Sequence, residues 1–203
     1  MTTRLLLASR NAKKLVELRR ILAATSAADQ VELIGLDDVP EYPEVPESGL
    51  TFAENALIKA REGARQTGLA TVADDSGLAV DALNGMPGVF SARWAGRHGD
   101  DEANLRLVLD QIADVPDEHR GGGFVCAAAM VWPDGREQVV EGRMLGRIIR
   151  SPRGENGFGY DPIFVPDSYE QTSAELTAEA KDAISHRGKA FRGLADLIAA
   201  ELG

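Results

Sequence analysis

Hydrophobic and polar positions follow two periods along this chain. Residues 4–8 (RLLLA) read as a short buried strand. Leu15, Leu18 and Leu22 then fall at helical spacing within 12–24, so a strand, a turn and a helix open the sequence. VELIGL (31–36) is a second strand candidate, and 37–50, acidic and Pro-containing, reads as a loop. Thr51 and Glu54 have capping-box spacing and are followed by Leu57 and Ala60, which predicts a helix over about 52–67. LATVA (69–73) predicts a strand that ends at Asp74-Asp75-Ser76-Gly77, with LAVDAL (78–83) continuing extended. Leu105, Val108, Leu109 and Ile112 mark an amphipathic helix. Residues 123–132 and 136–149 flank Pro133-Asp134-Gly135, the pattern of a β-hairpin. A Gly-rich loop (150–161), a short strand PIFV (162–165) and a helix over about 188–202 complete the chain. Interleaved helices and strands predict an α/β class with a mixed central sheet flanked by helices. No repeat or linker divides residues 1–203, so a single domain is expected.

Composition narrows the picture. The chain has 203 residues, 44% hydrophobic, which is enough apolar material for a real core and too much for disorder. One cysteine, Cys126, rules out an internal disulfide and fits a reducing compartment, so the cytoplasm is expected. The first apolar run spans four residues, Leu5 to Ala8, short for a signal peptide, and no stretch approaches the ~20 apolar residues of a membrane span. The formal net charge of −10 argues against a polymeric nucleic-acid or anionic-membrane binder. The charge is nevertheless patterned. Residues 1–20, 143–155 and 181–192 carry local nets of +5, +3 and +3, while 29–54 holds eight acidic residues and no basic one.

Four stretches carry candidate chemistry. Ser9-Arg10-Asn11-Ala12-Lys13-Lys14 stands at a strand-to-helix turn, where free N–H groups, a hydroxyl, an amide and two ammoniums suit an anion; an ordinary N-cap with solvated lysines is the plain alternative. No GxxxxGK[ST] is present, which excludes a P-loop. Asp74-Asp75, after a strand, offer hard oxygens to Mg²⁺, or else make an acidic turn. On extended chain the two point to opposite faces, so their roles should differ, one toward a metal and the other toward a water or a basic residue. Glu41, Glu44 and Glu47 in the acidic loop offer one further carboxylate at most. In Gly157-Phe158-Gly159-Tyr160-Asp161 the flanking glycines leave Phe158 an open face, suited to stacking a purine whose edge a polar group reads; inward packing of the aromatics is the alternative. Lys181 and Ser185-His186-Arg187-Gly188 stand at a helix junction, and the Arg fork suits a base carbonyl or a phosphate. Together the four describe a Mg²⁺-dependent nucleotide-processing pocket.

In these residues the chain resembles the inosine/xanthosine triphosphate pyrophosphatases, enzymes that clear nonstandard purine nucleotides. The family's opening (T/S)xNxxKxxE reads here as Ser9 to Glu17, with Ser in place of the common Thr. ESGLTFAENALIKA (47–60), ADDSGLAVDALNGMPGVFSARWAG (73–96), GFGYDPIF (157–164) and ELTAEAKDAISHRGKA (175–190) follow in the family's order, over nearly the whole chain. The resemblance implies two lobes around a nucleotide-binding cleft, a homodimer, and Mg²⁺-dependent hydrolysis of dITP, ITP, XTP and dXTP to the monophosphate and pyrophosphate. Carried over by position, Ser9, Arg10, Asn11, Ala12, Lys13 and Lys14 would bind the triphosphate and Ser76 would touch substrate. Asp75 would accept the proton, with Glu47 and Asp75, and Asp74 beside them, at the metal. Phe158, Gly159, Tyr160, Asp161, Lys181, His186 and Arg187 would bind the base and sugar-phosphate. Two rivals stand beside this reading. A septum-formation (Maf-like) pyrophosphatase of other specificity would continue SxSPRR after Ala8-Ser9, which this chain does not. A non-catalytic nucleotide sensor would have no use for a carboxylate pair next to a phosphate.

Overall fold

A computed structural model describes residues 2–25 and 28–202, leaving aside the side chains of Lys13, Glu201 and Leu202. Among the described residues seven strands, β1 (Thr3–Leu7), β2 (Val31–Ile34), β3 (Ala70–Val80), β4 (Met86–Pro87), β5 (Gly121–Val131), β6 (Glu137–Ile148) and β7 (Phe164–Pro166), form one sheet of order β2-β1-β3-β5-β6-β7, with β4 on β3. β1 pairs with β2 and β3 in parallel, whereas β3–β4 and β6–β7 are antiparallel, so the expected mixed α/β class holds. The helices are α1 (Ala12–Ala23), α2 (Phe52–Thr67), α3 (Asp101–Gln111), α4 (Ala178–Ile184) and α5 (His186–Leu202).

The chain forms two compact units. Unit 1 takes residues 1–75, 126–142 and 187–203, and unit 2 takes 76–125 and 143–186; β3, β5 and β6 each contribute to both. In unit 1 the period of two divides β5 cleanly. Cys126, Ala128 and Met130 join Leu5 and Leu7 of β1 under Leu18, Ile21 and Leu22 of α1 and Phe191, Leu194 and Ile198 of α5. Ala127, Ala129 and Val131 meet Ala56, Ala60 and Ala64 of α2. That alanine seam brings the helix backbone close to the sheet, and a Cβ on Gly63 would lie 2.6 Å from the Thr71 methyl. Unit 2 buries Leu78, Val80, Phe124, Met144 and Phe164 of its strands against Leu105 and Val108 of α3. Arg120, also buried there, donates from Nε to the Ile148 carbonyl (3.0 Å) and from Nη1 to that of Ile112 (2.5 Å), closing the C-terminal end of α3.

Four expectations need correction. The strand expected to end at Asp74 runs on to Val80, because both carboxylates find partners within the sheet layers and need not turn out to solvent. Gly77 accordingly makes close approach rather than a bend: a Cβ there would fall on Ser91 and on the Gly88 carbonyl. Residues 81–83, expected to be extended, form a 3-10 turn, and so do Asp161–Ile163, which moves the start of the PIFV strand to Phe164. The last helix begins at His186, preceded by a separate short helix, α4, that meets it at the junction expected near Ser185.

Candidate functional site

In unit 1 the chemistry is built around two adjacent carboxylates. Asp74 and Asp75 point to opposite faces of β3, as the extended backbone requires, and meet different partners. The Asp74 side chain is wholly enclosed; its Oδ2 accepts from Lys14 Nζ (2.9 Å) on α1 and from Arg187 Nε (3.2 Å) on α5. Arg187 Nη1 also donates to Glu17 Oε2 (2.6 Å), so Lys14, Asp74, Arg187 and Glu17 form a continuous chain of alternating charge, buried at Asp74 and Arg187 and half-buried at its two ends. The Cys126 Sγ lies 3.9 Å from the same Oδ2. Burial would raise the Asp74 pKa, but the two cations hold it well below the ordinary carboxylate range. Burial, reinforced by the Asp74 charge, pushes the Cys126 thiol up, so it remains neutral. Asp74 Oδ1 is buried with no hydrogen-bond partner among the described residues, so the carboxylate leans on its cations for compensation.

Asp75 faces α2. Asn55 Nδ2 donates to its Oδ2 (3.1 Å), and Lys59 Nζ stands 3.8 Å from Oδ1 and 2.6 Å from Glu47 Oε1. Asn55 and Lys59, four apart, share one helix face, and Asn55 Oδ1 accepts from the Gly49 amide (2.8 Å), tying the acidic loop to the site. The helix start is fixed by the expected capping box: Thr51 Oγ1 accepts from Glu54 N and Glu54 reaches back to Thr51 N. Burial, with Glu47 assisting, raises the Asp75 pKa above its usual value, while Lys59 opposes. Of the three loop glutamates, Glu47 shares Lys59 with Asp75, whereas Glu44 lies 3.8 Å from Arg10 and Glu41 is exposed.

The turn before α1 carries Ser9, Arg10, Asn11 and Ala12. Ser9 Oγ accepts from Asn11 N (3.2 Å), and the Arg10, Asn11 and Ala12 side chains are exposed, with Arg10 beside Glu44 (3.8 Å). Lys13 follows on α1, its side chain outside the described residues. Ser76 is half-buried in β3.

In unit 2 the Gly-rich loop turns its two aromatics in opposite directions. Phe158 is exposed, with Lys181 Nζ 5.5 Å from the ring centroid; Tyr160 is buried and donates to the Ser91 carbonyl (2.8 Å). Buried Asp161 accepts from Lys181 Nζ (2.6 Å) and from Phe158 N (2.9 Å). Gly157, at φ +77°, stands so near that carboxylate that any Cβ would strike it. Asn156 clamps the loop from below, its N–H on the Ala174 carbonyl (3.0 Å) and its amide on that of Leu176 (3.2 Å). His186 lies flat against Phe124, centroids 5.0 Å apart.

Of the sequence-predicted residues, Ser9–Lys14, Glu47, Asp74, Asp75 and Arg187 lie in unit 1, and Ser76, Phe158–Asp161, Lys181 and His186 lie in unit 2. Asn55, Lys59 and Glu17 were not among the candidates; their signal was helical spacing, Asn55 to Lys59 within the capped helix and Glu17 one turn beyond Lys14.

A metal can be tested against these donors. Among the described residues no group of three or more His, Cys, Asp or Glu is placed to hold one. Glu47 and Asp75, however, already converge on a single cation, the Lys59 ammonium. Two hard carboxylates fit a Mg²⁺ that keeps waters and takes phosphate oxygens for its remaining ligands. Asp74 does not fit the expected metal role, because its carboxylate is enclosed and engaged by Lys14 and Arg187.

Comparison with known proteins gives the chain's relatives. The chain is 63% identical over 195 residues to the dITP/XTP pyrophosphatase of Mycobacteroides abscessus, covering 96% of this chain and 94% of the relative. It is 64% identical over 197 residues to that of Nocardia farcinica, covering 97% and 95%. The crystal structure of the Mycobacterium abscessus nucleoside-triphosphatase (dITP/XTP pyrophosphatase) superposes with a TM-score of 0.78 over 97% of this chain and 99% of that one, at 63% identity. The Staphylococcus aureus Ham1 protein does so at 0.87 over 98% and 100%, at 38% identity. The Ham1 family model matches residues 5–197, and the chain belongs to the Ham1 family.

Proposed function

We propose that this chain hydrolyses nonstandard purine nucleoside triphosphates (ITP, dITP, XTP and dXTP) to the monophosphate and pyrophosphate, using Mg²⁺. The observation that carries the reading is the division of labour within Asp74-Asp75: one carboxylate is neutralised by Lys14 and Arg187, while the other shares with Glu47 the position of a single cation, the Lys59 ammonium. The names of its relatives, dITP/XTP pyrophosphatases, support two of these substrates, dITP and XTP.

Ser9, Arg10, Asn11, Ala12, Lys13 and Lys14 take the triphosphate, with backbone and side-chain donors at the start of α1. Asp74 fixes Lys14, so that its ammonium meets developing phosphate charge without reorganising. Asp75 accepts the proton of the attacking water, and Asn55 holds its orientation. Glu47 and Asp75 would hold Mg²⁺, which would supply neutralisation of phosphate charge and of the pyrophosphate leaving group. Ser76 contacts substrate beside Asp75.

Phe158 stacks the purine, while Gly159, Tyr160 and Asp161 shape that platform and Lys181 adds charge at its edge. His186 and Arg187 read the 6-position. Arg187 is a fixed donor, its plane set by Glu17 and Asp74. Inosine and xanthosine present a 6-carbonyl acceptor there. Adenosine presents an amino donor there, which faces donors instead of giving them an acceptor and should bind less well by on the order of 1–3 kcal/mol. The remaining parts of the reading are a homodimer, action as one domain, and a reducing cytoplasm. β3, β5 and β6 belong to both units, which supports one cooperative domain, and the buried thiol of Cys126 suits the compartment. No described helix is long and apolar enough to cross a membrane.

The test is pyrophosphate release from ITP, dITP, XTP, ATP and GTP with Mg²⁺ and with EDTA. Release from the first three that EDTA abolishes is expected. Equal rates on ATP would favour a pyrophosphatase of other specificity, and tight ITP binding without release would favour a sensor; either overturns the reading.

A further inference from the structure

The platform that presents Phe158 is held by a residue outside the sequence motifs. Two successive amides at the loop tip each have their own carboxylate: Phe158 N donates to Asp161, and Gly159 N donates to Oδ2 of Asp101 at 2.9 Å. Asp101 is the first residue of α3, 58 positions away in sequence, and it is not the cap of that helix. Capping falls to Asp100, whose Oδ1 accepts from Ala103 N (3.2 Å), so the Asp101 carboxylate is left for the loop. The start of α3 is itself firmly set: buried Asn104 accepts from Ala95 N (2.7 Å) and donates to the Ala92 carbonyl (3.2 Å). Next to Gly159, Tyr160 bolts to Ser91 in the same stretch. Gly159 needs such a tether, since at φ +62° no side chain of its own packs to fix it.

We infer that Asp101 is a positioning residue for base recognition: by holding the Gly159 amide it fixes the plane in which Phe158 meets the purine, without touching the nucleotide. The inference rests on the functional reading above. Its chemistry is acceptance of one hydrogen bond, so the carboxylate and an amide oxygen should serve alike, whereas a role as an anion at the α3 N-terminus would require the charge.

The experiment compares Asp101→Ala and Asp101→Asn in the full chain. It follows ITP hydrolysis with Mg²⁺, binding of inosine monophosphate by calorimetry, thermal melting, and hydrogen exchange at the Gly159 amide. Asp101→Ala should raise KM for ITP and the dissociation constant for the monophosphate about fivefold, the worth of one hydrogen bond, with kcat within about twofold and faster exchange at Gly159. Asp101→Asn should restore all of these to within about twofold of the parent. Unchanged KM and exchange in Asp101→Ala would overturn the inference, as would equal losses in both variants accompanied by equal falls in melting temperature. The exchange measurement uses no nucleotide. A parent protein that fails to release pyrophosphate from ITP therefore counts against the functional reading, while exchange still decides the role of Asp101.

Discussion

Asp74 and Asp161 are the same residue type, equally buried, and each holds one lysine, Lys14 at 2.9 Å and Lys181 at 2.6 Å. Their second partners separate them. Asp74 takes a second cation, Arg187, whereas Asp161 takes a backbone amide, that of Phe158. The cluster in unit 1 therefore arranges charges, and the loop in unit 2 arranges a backbone that displays a ring. Changes in the first should act on turnover and on the energetics of buried charge. Changes in the second should act on affinity with little effect on either.

The largest expected effect is at Asp75. Asp75→Asn keeps shape and removes the proton acceptor, and kcat for ITP should fall about 1000-fold in a pyrophosphate-release assay. Stability should move the other way. The folded-state pKa of Asp75 is raised, so the folded protein binds that proton more tightly than the unfolded chain, and ionisation above the ordinary carboxylate pKa costs stability. In EDTA at neutral pH the variant should melt at the same temperature as the parent or higher. A lower melting temperature would show that Asp75 is structural and erase its distinction from Asp74.

Next is Arg187→Met, which removes the shared partner of Asp74 and Glu17 while keeping bulk. Leaving buried carboxylate charge uncompensated should cost about 3–5 kcal/mol by urea denaturation at pH 7. The pKa of Asp74 is depressed, so its contribution is present above the ordinary carboxylate range and lost as pH falls below it. The gap between parent and variant should therefore narrow in acid. A gap that does not change with pH would mean that packing, not charge, holds this cluster.

Phe158→Ala tests the loop. Loss of base stacking, worth roughly 1–3 kcal/mol, should raise KM for ITP about tenfold with kcat nearly unchanged. The ring is 38% exposed, so the melting temperature should hardly move. A fall in kcat larger than the rise in KM would place Phe158 with the charge cluster and break the contrast.

How much of this was legible in the sequence follows the same division. Local signals were read well: the capping box set α2 at Phe52–Thr67, and alternation showed that Asp74 and Asp75 must face different ways. What they face was not legible, because Lys14, Lys59 and Arg187 are brought to β3 from three separate helices by the packing of unit 1. The same ignorance of partners ended the strand too early, since paired aspartates look like a turn until their cations are known. In the loop the glycine–aromatic pattern marked a platform, but that Phe158 turns out and Tyr160 in depends on the Ser91 carbonyl, 69 residues away. Asp101 carried no motif signal, because it acts through a single backbone amide.

The smallest effect asks whether backbone order matters in the charge cluster too. Thr51→Ala removes the hydroxyl that caps α2 and should cost about 1 kcal/mol in urea. The residues that matter lie one and two turns further on: Asn55 is fully buried and bonded at both ends of its amide, and Lys59 is held between two carboxylates. Those side-chain contacts should keep the helix face in place when the first turn frays, so kcat for ITP should stay within about twofold of the parent, less than the stability loss would give if it were passed on to turnover. A larger fall in kcat at unchanged KM would show that the order of the helix start is transmitted to Asp75, and that the cluster depends on its backbone as much as the loop does.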